Sequence, residues 1–463
     1  MSDPTTYLLE RAWVDGRVQD DVLVEIEGGR FTAVTPRGRF VGLEGEISPS
    51  KRRIPRLGGE SDRLPGLTIP GLANCHSHAF HRALRGRTQR GRGTFWTWRE
   101  QMYAVASRLT PDSYFELARA TYREMVSVGI TSVGEFHYLH HNPDGTPYDD
   151  PNEMGHALVQ AAREAGIRIA LLDTCYLASA VGQPPEGVQV RFSDRTAEAW
   201  ADRVSRRADA PADQPGSVVW GAAIHSVRAV PRDQMGGVVR WADEHAAPLH
   251  VHLSEQVAEN DASVAAYGLT PTQVLADAGA LGDRTSAVHA THLTSVDVKL
   301  LGGSGTYANL CPTTERDLGD GIGPSRLLHD AGAPLTLGSD SHAVVDLFEE
   351  MRAVELDERL ATQQRGHWSA RELLRAATRD GQRSLGFDGV GRIEVGAPAD
   401  LVTLDTSSPR TAGTGADEAT AVFAATGADV VQVLRDGVLV AAGDDRREIG
   451  ADLDRVIRSI WEG

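Results

Sequence analysis

Two histidines one residue apart close the stretch Ile69-Pro70-Gly71-Leu72-Ala73-Asn74-Cys75-His76-Ser77-His78. On an extended backbone, residues i and i+2 point to the same side, so His76 and His78 can aim their imidazoles at one point. Two converging neutral imidazoles suit zinc or a similar divalent ion. A His-x-His pair also arises by chance, so its weight depends on what joins it downstream. His252 in His250-Val251-His252-Leu253-Ser254-Glu255 is a candidate third ligand, and Asp340 in Gly338-Ser339-Asp340-Ser341-His342 a candidate carboxylate ligand. Glu255, three residues past His252, lies near such a metal without having to bind it. His289-Ala290-Thr291-His292 adds a histidine of either number. Singly, each has a plain reading as a hydrogen-bonded strand-end histidine or a Gly-Ser-Asp turn. Converging on one mouth, they are a constellation that chance rarely supplies.

Convergence requires a closed scaffold. Between residues 69 and 385, apolar runs alternate with amphipathic helical segments. The candidate strands are Thr68 to Cys75, Ile130 to Phe136, Ile167 to Thr174, Val218 to Ile224, Leu249 to Leu253, Ser286 to Ala290, Thr306 to Leu310 and Pro334 to Gly338. Pro111 to Val128, Glu153 to Ala165 and Met235 to His245 are among the helical stretches between them. Eight such units predict a (β/α)8 TIM-type barrel, with a doubly wound open sheet as the competing arrangement. The clustering of polar residues just after the candidate strands favours the barrel. Residues 1–68 and 386–463 read as short strands. Val22 to Ile26 returns through Gly28-Gly29 to Arg30–Val34, and Val430 to Leu434 meets Val438 to Val440 across Asp436-Gly437. These ends predict a small composite β-sandwich domain, unless they are two unrelated β appendages. Thr411 to Thr420 reads as a surface loop.

The bulk composition narrows the partners. The chain has 463 residues, long enough for a large barrel plus a second domain. Its net charge of -17 argues against nucleic acid or an anionic membrane as a partner, but not against a small anionic substrate in a locally basic site. Three widely spaced cysteines give no disulfide framework. With no basic–apolar leader at the N-terminus and no spanning stretch, this predicts a cytoplasmic protein.

Pro70 to His78, with His252, Glu255, His289 and Asp340 in that order, resembles the deaminase branch of the amidohydrolase superfamily over nearly the whole chain. The resemblance implies metal ligands His76, His78, His252 and Asp340, with His289 rather than His292 as the strand-six catalytic residue. Binuclear relatives place a bridging carboxylated lysine after the fourth strand, where this chain has His225, which implies one divalent metal per chain, zinc by family expectation. Such an ion lowers the pKa of water toward neutrality. Asp340 and His289 are then expected to orient that water and take its proton, and Glu255 to carry a proton to the departing nitrogen. This set suits amidines and aminopurines alike.

The substrate must be read from the rest of the mouth. Arg228 and His225, three apart, with Tyr138 nearby, offer donors for carboxylates, and an arginine can grip one with two parallel hydrogen bonds. The stretches Phe95 to Glu100, Glu135 to His141, His225 to Val230 and Cys311 to Gly321 sharpen the resemblance to relatives acting on a linear amidine attached to a dicarboxylic amino acid, with release of ammonia. By that resemblance Tyr138, His225 and Arg228 bind the carboxylates, and Arg99 reaches in from the neighbouring subunit of a homodimer. His81 stands where such relatives often have a glutamine near the substrate. The alternatives are a deaminase of an aminopurine or related heterocycle, a metal-dependent amidase, and a scaffold protein without catalysis.

Overall fold

The computed structural model describes residues 5–36, 63–206 and 216–462, and in them fifteen strands form two sheets. The part of the N-terminal strand region that falls on 37–62 lies outside the described residues. Eight strands run parallel, each paired with the next: β5 (Leu72–Ser77), β6 (Ile130–His137), β7 (Arg168–Cys175), β8 (Val218–Ile224), β9 (Leu249–Leu253), β10 (Thr285–His289), β11 (Tyr307–Leu310) and β12 (Leu335–Leu337). A parallel bridge from Ser77 to Asp340 joins the last strand back to the first, so the sheet closes as a barrel. Every residue of β6 and β7 is buried, as befits parallel strands covered on both faces. The helices between them carry their own stop signals. Thr110 caps the helix Pro111–Ser127 through Ser113 N, and Gly166, at φ 77°, ends Glu153–Ala165 in the left-handed conformation.

Both chain ends build the second sheet. Its seven strands are β1 (Thr5–Val14), β2 (Arg17–Glu27), β3 (Arg30–Pro36), β4 (Arg63–Pro70), β13 (Leu401–Leu404), β14 (Val430–Arg435) and β15 (Val438–Ala442). Their order, β15-β14-β13-β4-β1-β2-β3, seats β4 between the two ends of the chain, parallel to β1 and antiparallel to β13. Buried Arg168 on β7 ties the sheet to the barrel by pairing with Asp400 and Asp436.

Three sequence expectations need correction. The run Thr68 to Cys75 is not one strand. It breaks at Gly71, leaving Thr68–Pro70 in the terminal sheet and starting the barrel at Leu72. A side chain at 71 would put its Cβ 2.2 Å from Thr131 Oγ1 and 3.0 Å from Asp400 Cβ, so only glycine fits where the two sheets meet. Thr411 to Thr420 is the expected surface loop only as far as Ala416: residues 412–415 are exposed turn, and Asp417 then caps a short helix at Glu418–Phe423 in which Thr420 is buried. Finally, the chain ends in a 17-residue helix, Arg446–Glu462, rather than in strand. Ile449 and Leu453 pack on Ala120 of the barrel helix Pro111–Ser127, and Trp461 Nε1 donates to Ala83 O at 2.9 Å. Among the described residues, no helix is long and apolar enough to cross a membrane.

Candidate metal centre and substrate cavity

Strand ends bring the four expected ligands together at the C-terminal mouth of the barrel. Ligand atoms of His76, His78, His252 and Asp340 all lie within 4.8 Å of one another. Asp340 Oδ1 is 3.4 Å from His76 Nε2 and 3.2 Å from His78 Nε2, and the Nε2 atoms of His76 and His252 are 3.0 Å apart. Strands β5 and β12 are stitched to hold this geometry. Asp340 N donates to His76 O at 3.0 Å, while the Asn74 amide bonds Ser339 through both Oδ1 (2.9 Å, from Ser339 N) and Nδ2 (2.7 Å, to Ser339 Oγ). Gly338 permits the approach, since a Cβ there would lie 2.7 Å from His76 Cβ. Buried Glu135 secures the segment from below by accepting from Ser77 Oγ at 2.8 Å and Ala79 N at 2.6 Å.

The donor set fits a divalent ion. His78 Nδ1 faces Phe136 O at 3.0 Å and His252 Nδ1 faces His225 O at 2.9 Å. Those carbonyls can only accept, so each Nδ1 carries the proton and each Nε2 offers its lone pair inward. Burial pushes His76 down to about 4 and His252 well below the usual range, so both are neutral at pH 7. Burial would raise the Asp340 carboxyl, yet with His76 and His78 at its Oδ1 it is held well below the usual carboxylate range. Three neutral nitrogens and one carboxylate make a four-coordinate set for zinc or a like cation.

Beside this set stand the candidate proton carriers. His289 Nε2 lies 3.8 Å from both Asp340 Oδ2 and Glu255 Oε1, and its Nδ1 lies 3.4 Å from Glu315 Oε1. Burial opposes the imidazolium, yet Glu255, Glu315 and Asp340 together raise His289 to about 10. Burial raises the Glu255 carboxyl, against the pull of His289. His289, and not His292, lines the cavity, with its ring beside Glu255 and Asp340. Of twelve non-glycine residues with positive φ among those described, Ser254, His289, Ala290, Asp340 and His342 sit at this mouth. Backbone strain of that kind persists where the surroundings over-determine it.

A cavity of about 300 Å³ opens from His78, His252 and Asp340 outward. All five expected substrate contacts line it: His81, Arg99, Tyr138, His225 and Arg228. His81 Nε2 is 3.1 Å from Tyr138 Oη, and Arg228 Nη1 donates to Ser179 O at 3.2 Å. Within its own chain, Arg99 on the helix Phe95–Ala106 lines the cavity and bonds Tyr103. The helix follows a 3-10 turn at Ala79–Leu84, and its residues Phe95, Trp98, Met102 and Tyr103 line the same cavity. Sequence reasoning missed Tyr103, Tyr176 and Glu259 on the same wall, and Gln189 bonded behind the two tyrosines. Glu315 was noted only within the Cys311 to Gly321 stretch, and its spacing of four from Cys311, whose N–H it accepts at 2.9 Å, was the available signal.

Comparison with known proteins follows this geometry. The sequence profile of the amidohydrolase family matches residues 67–440. A formimidoylglutamate deiminase of Pseudomonas aeruginosa is 38% identical over 368 residues, covering 77% of this chain and 80% of that protein. A 5-methylthioadenosine/S-adenosylhomocysteine deaminase of Natronomonas pharaonis is 27% identical over 434 residues, covering 93% of this chain and 90% of the other. Among solved structures, an amidohydrolase from Brucella melitensis superposes with a TM-score of 0.84 at 29% identity, over 98% of this chain and 99% of that one. An adenosine deaminase from Xanthomonas campestris with bound zinc shares the fold, with a TM-score of 0.81 at 23% identity over 99% and 98% of the two chains.

Proposed function

The chain belongs to the amidohydrolase family, and from that premise we propose that it hydrolyses N-formimino-L-glutamate to N-formyl-L-glutamate and ammonia. The observation that carries the reading is the two-ended cavity. At one end stand the metal-type donors with Glu255 and His289, and at the other Arg99 and Arg228. A formimino group is an amidine, cationic near neutral pH, and suits a carboxylate partner such as Glu255. The glutamate part is dianionic and suits two guanidinium groups. The 38% identical deiminase supports the same substrate.

The residues supply the steps as follows. One divalent ion held by His76, His78, His252 and Asp340, zinc by family expectation, supplies activation of water. His289, already protonated at its raised value of about 10, orients the attacking water, Asp340 receives the water's proton, and 3.8 Å steps link both to Glu255. Glu255 holds an N–H of the amidinium and returns a proton to the departing nitrogen. Water adds to the amidine carbon, the C–N bond to the terminal nitrogen breaks, and that nitrogen leaves as ammonia. Tyr138, His225, Arg228 and Arg99 orient the acidic end, with His81 fixing Tyr138. We further take the protein to act in the cytoplasm as a homodimer; its three buried free cysteines are consistent with a reducing compartment.

The test is ammonia release by purified protein from N-formimino-L-glutamate, set against guanine and 5-methylthioadenosine. Release from the first alone is expected, because two arginines at the cavity suit a dianionic tail that a neutral purine lacks. Release from a purine with none from the amidine would overturn the reading in favour of an aminopurine deaminase.

A further inference from the structure

We propose that the hydroxyls of Tyr103 and Tyr176, held by Gln189 and Arg99, form a subsite for the second carboxylate of a dicarboxylate substrate. This rests on the reading above and assigns that site's outer end. The argument is one of hydrogen-bond supply. The Gln189 amide is buried and fixed at both ends, for its Oε1 accepts from Glu186 N at 2.9 Å. Its Nε2 donates to Tyr103 Oη at 2.8 Å and to Tyr176 Oη at 3.0 Å. Arg99 donates to the same two oxygens, from Nε to Tyr103 and from Nη2 to Tyr176 at 3.4 Å.

Each phenol oxygen therefore already accepts from two N–H groups that have no lone pair to offer in return. Its own proton cannot point at either of them. Among the described residues no acceptor receives it, and both side chains line the cavity. Burial and the nearby Tyr176 push the Tyr103 phenol up to about 12, so it keeps that proton at neutral pH. The result is a cradle made of donors alone, with the Arg99 charge on both phenols and Arg228 beside Tyr176, and its natural guest is an oxyanion with two lone-pair-rich oxygens. The cradle lies outward from the metal-type set, with His225 between: the His225 ring is 5.0 Å from His252 and 4.5 Å from Tyr176. The carboxylate it takes is thus the one remote from the reacting carbon. Gln189 touches no substrate and acts as a positioning residue for the two phenols.

The experiment compares N-formimino-L-glutamate with N-formimino-L-norvaline, which keeps the chain but ends in a methyl group. In Tyr176→Phe and Tyr103→Phe, KM for the glutamate compound is expected to rise about tenfold with kcat held, since a hydrogen bond to a charged group is lost. Kinetics on the norvaline compound should stay within roughly twofold, as no acceptor is there to miss the hydroxyl. Gln189→Leu should show the same KM-selective loss. Equal losses on both substrates, or no loss on either, would overturn the subsite. Calorimetric binding of glutarate to the metal-loaded protein separates the two readings. Glutarate binding that weakens in Tyr176→Phe, in a protein that releases no ammonia from the amidine, would sink the proposed reaction and keep the cradle. Ammonia release with glutarate binding indifferent to both tyrosines would do the reverse.

Discussion

Among the described residues, two clusters of buried histidine and aspartate lie in this barrel, and in only one of them is the carboxylate left to the histidines. Ligand atoms of His137, His140 and Asp173 come as close together as those of His76, His78, His252 and Asp340. Asp173, however, is gripped by Arg203, with Nη1 to Oδ2 at 2.9 Å and Nη2 to Oδ1 at 2.7 Å, and Trp200 Nε1 donates to it at 2.9 Å. Arg203 also pairs with Asp194. A guanidinium already fills the place a cation would take, and a divalent ion beside it would meet like charge. At Asp340 no arginine intrudes, and the histidine Nε2 atoms turn their lone pairs on the same point. Donor types and spacing are alike in the two clusters; the identity of the carboxylate's partner separates a metal centre from an ion-pair brace.

Substitutions sharpen that contrast. His252→Ala or Asp340→Ala should abolish ammonia release, by a factor on the order of 10⁴ or more, together with loss of bound metal measured by elemental analysis. Glu255→Gln should keep the metal and lower kcat by about 10²–10⁴-fold, because a proton carrier is removed while the ligands remain. Arg228→Ala should raise KM roughly 10- to 100-fold, again with metal content unchanged. Unchanged kinetics in that variant would refute the carboxylate-clamp assignment.

The brace should answer to acid instead. Burial would raise Asp173, but Arg203 outweighs it and holds the carboxyl at about 2, below the value of about 3.9 in an unfolded chain. As pH falls, the unfolded chain takes up this proton before the folded one does. The stabilisation, on the order of 2 kcal/mol, is therefore complete above about pH 4 and lost as pH falls toward 2. Thermal melts between pH 6 and 2 should show Asp173→Asn converging on the wild type at the acid end. An offset that stays constant with pH would argue against the pair. At pH 7 the same variant leaves Arg203 short of a partner and should lower Tm without removing metal.

Much of the metal end was legible in the sequence, because strand periodicity puts His76 and His78 on one side and the turn-rich strand ends mark where His252, His289 and Asp340 emerge. The outer end was legible only in part. Arg228 and Tyr138 follow strands directly, but Tyr103, Tyr176 and Gln189 come from three separate segments whose meeting depends on long-range packing. Arg99 was legible only through the resemblance, because its helix lies away along the chain from the strand ends that carry the other contacts. The break at Gly71 was hidden because an apolar run looks continuous whichever sheet its halves join. The final helix could have been found, since Ile449, Leu453, Val456 and Ile460 repeat at helical spacing; the preceding strands drew the reading toward β structure.

The most direct measurement is metal stoichiometry in the purified protein and two variants. The account predicts one divalent ion per chain in the wild type, none in His252→Ala and one in His140→Ala. Metal that persists in His252→Ala, or disappears with His140→Ala, would contradict it.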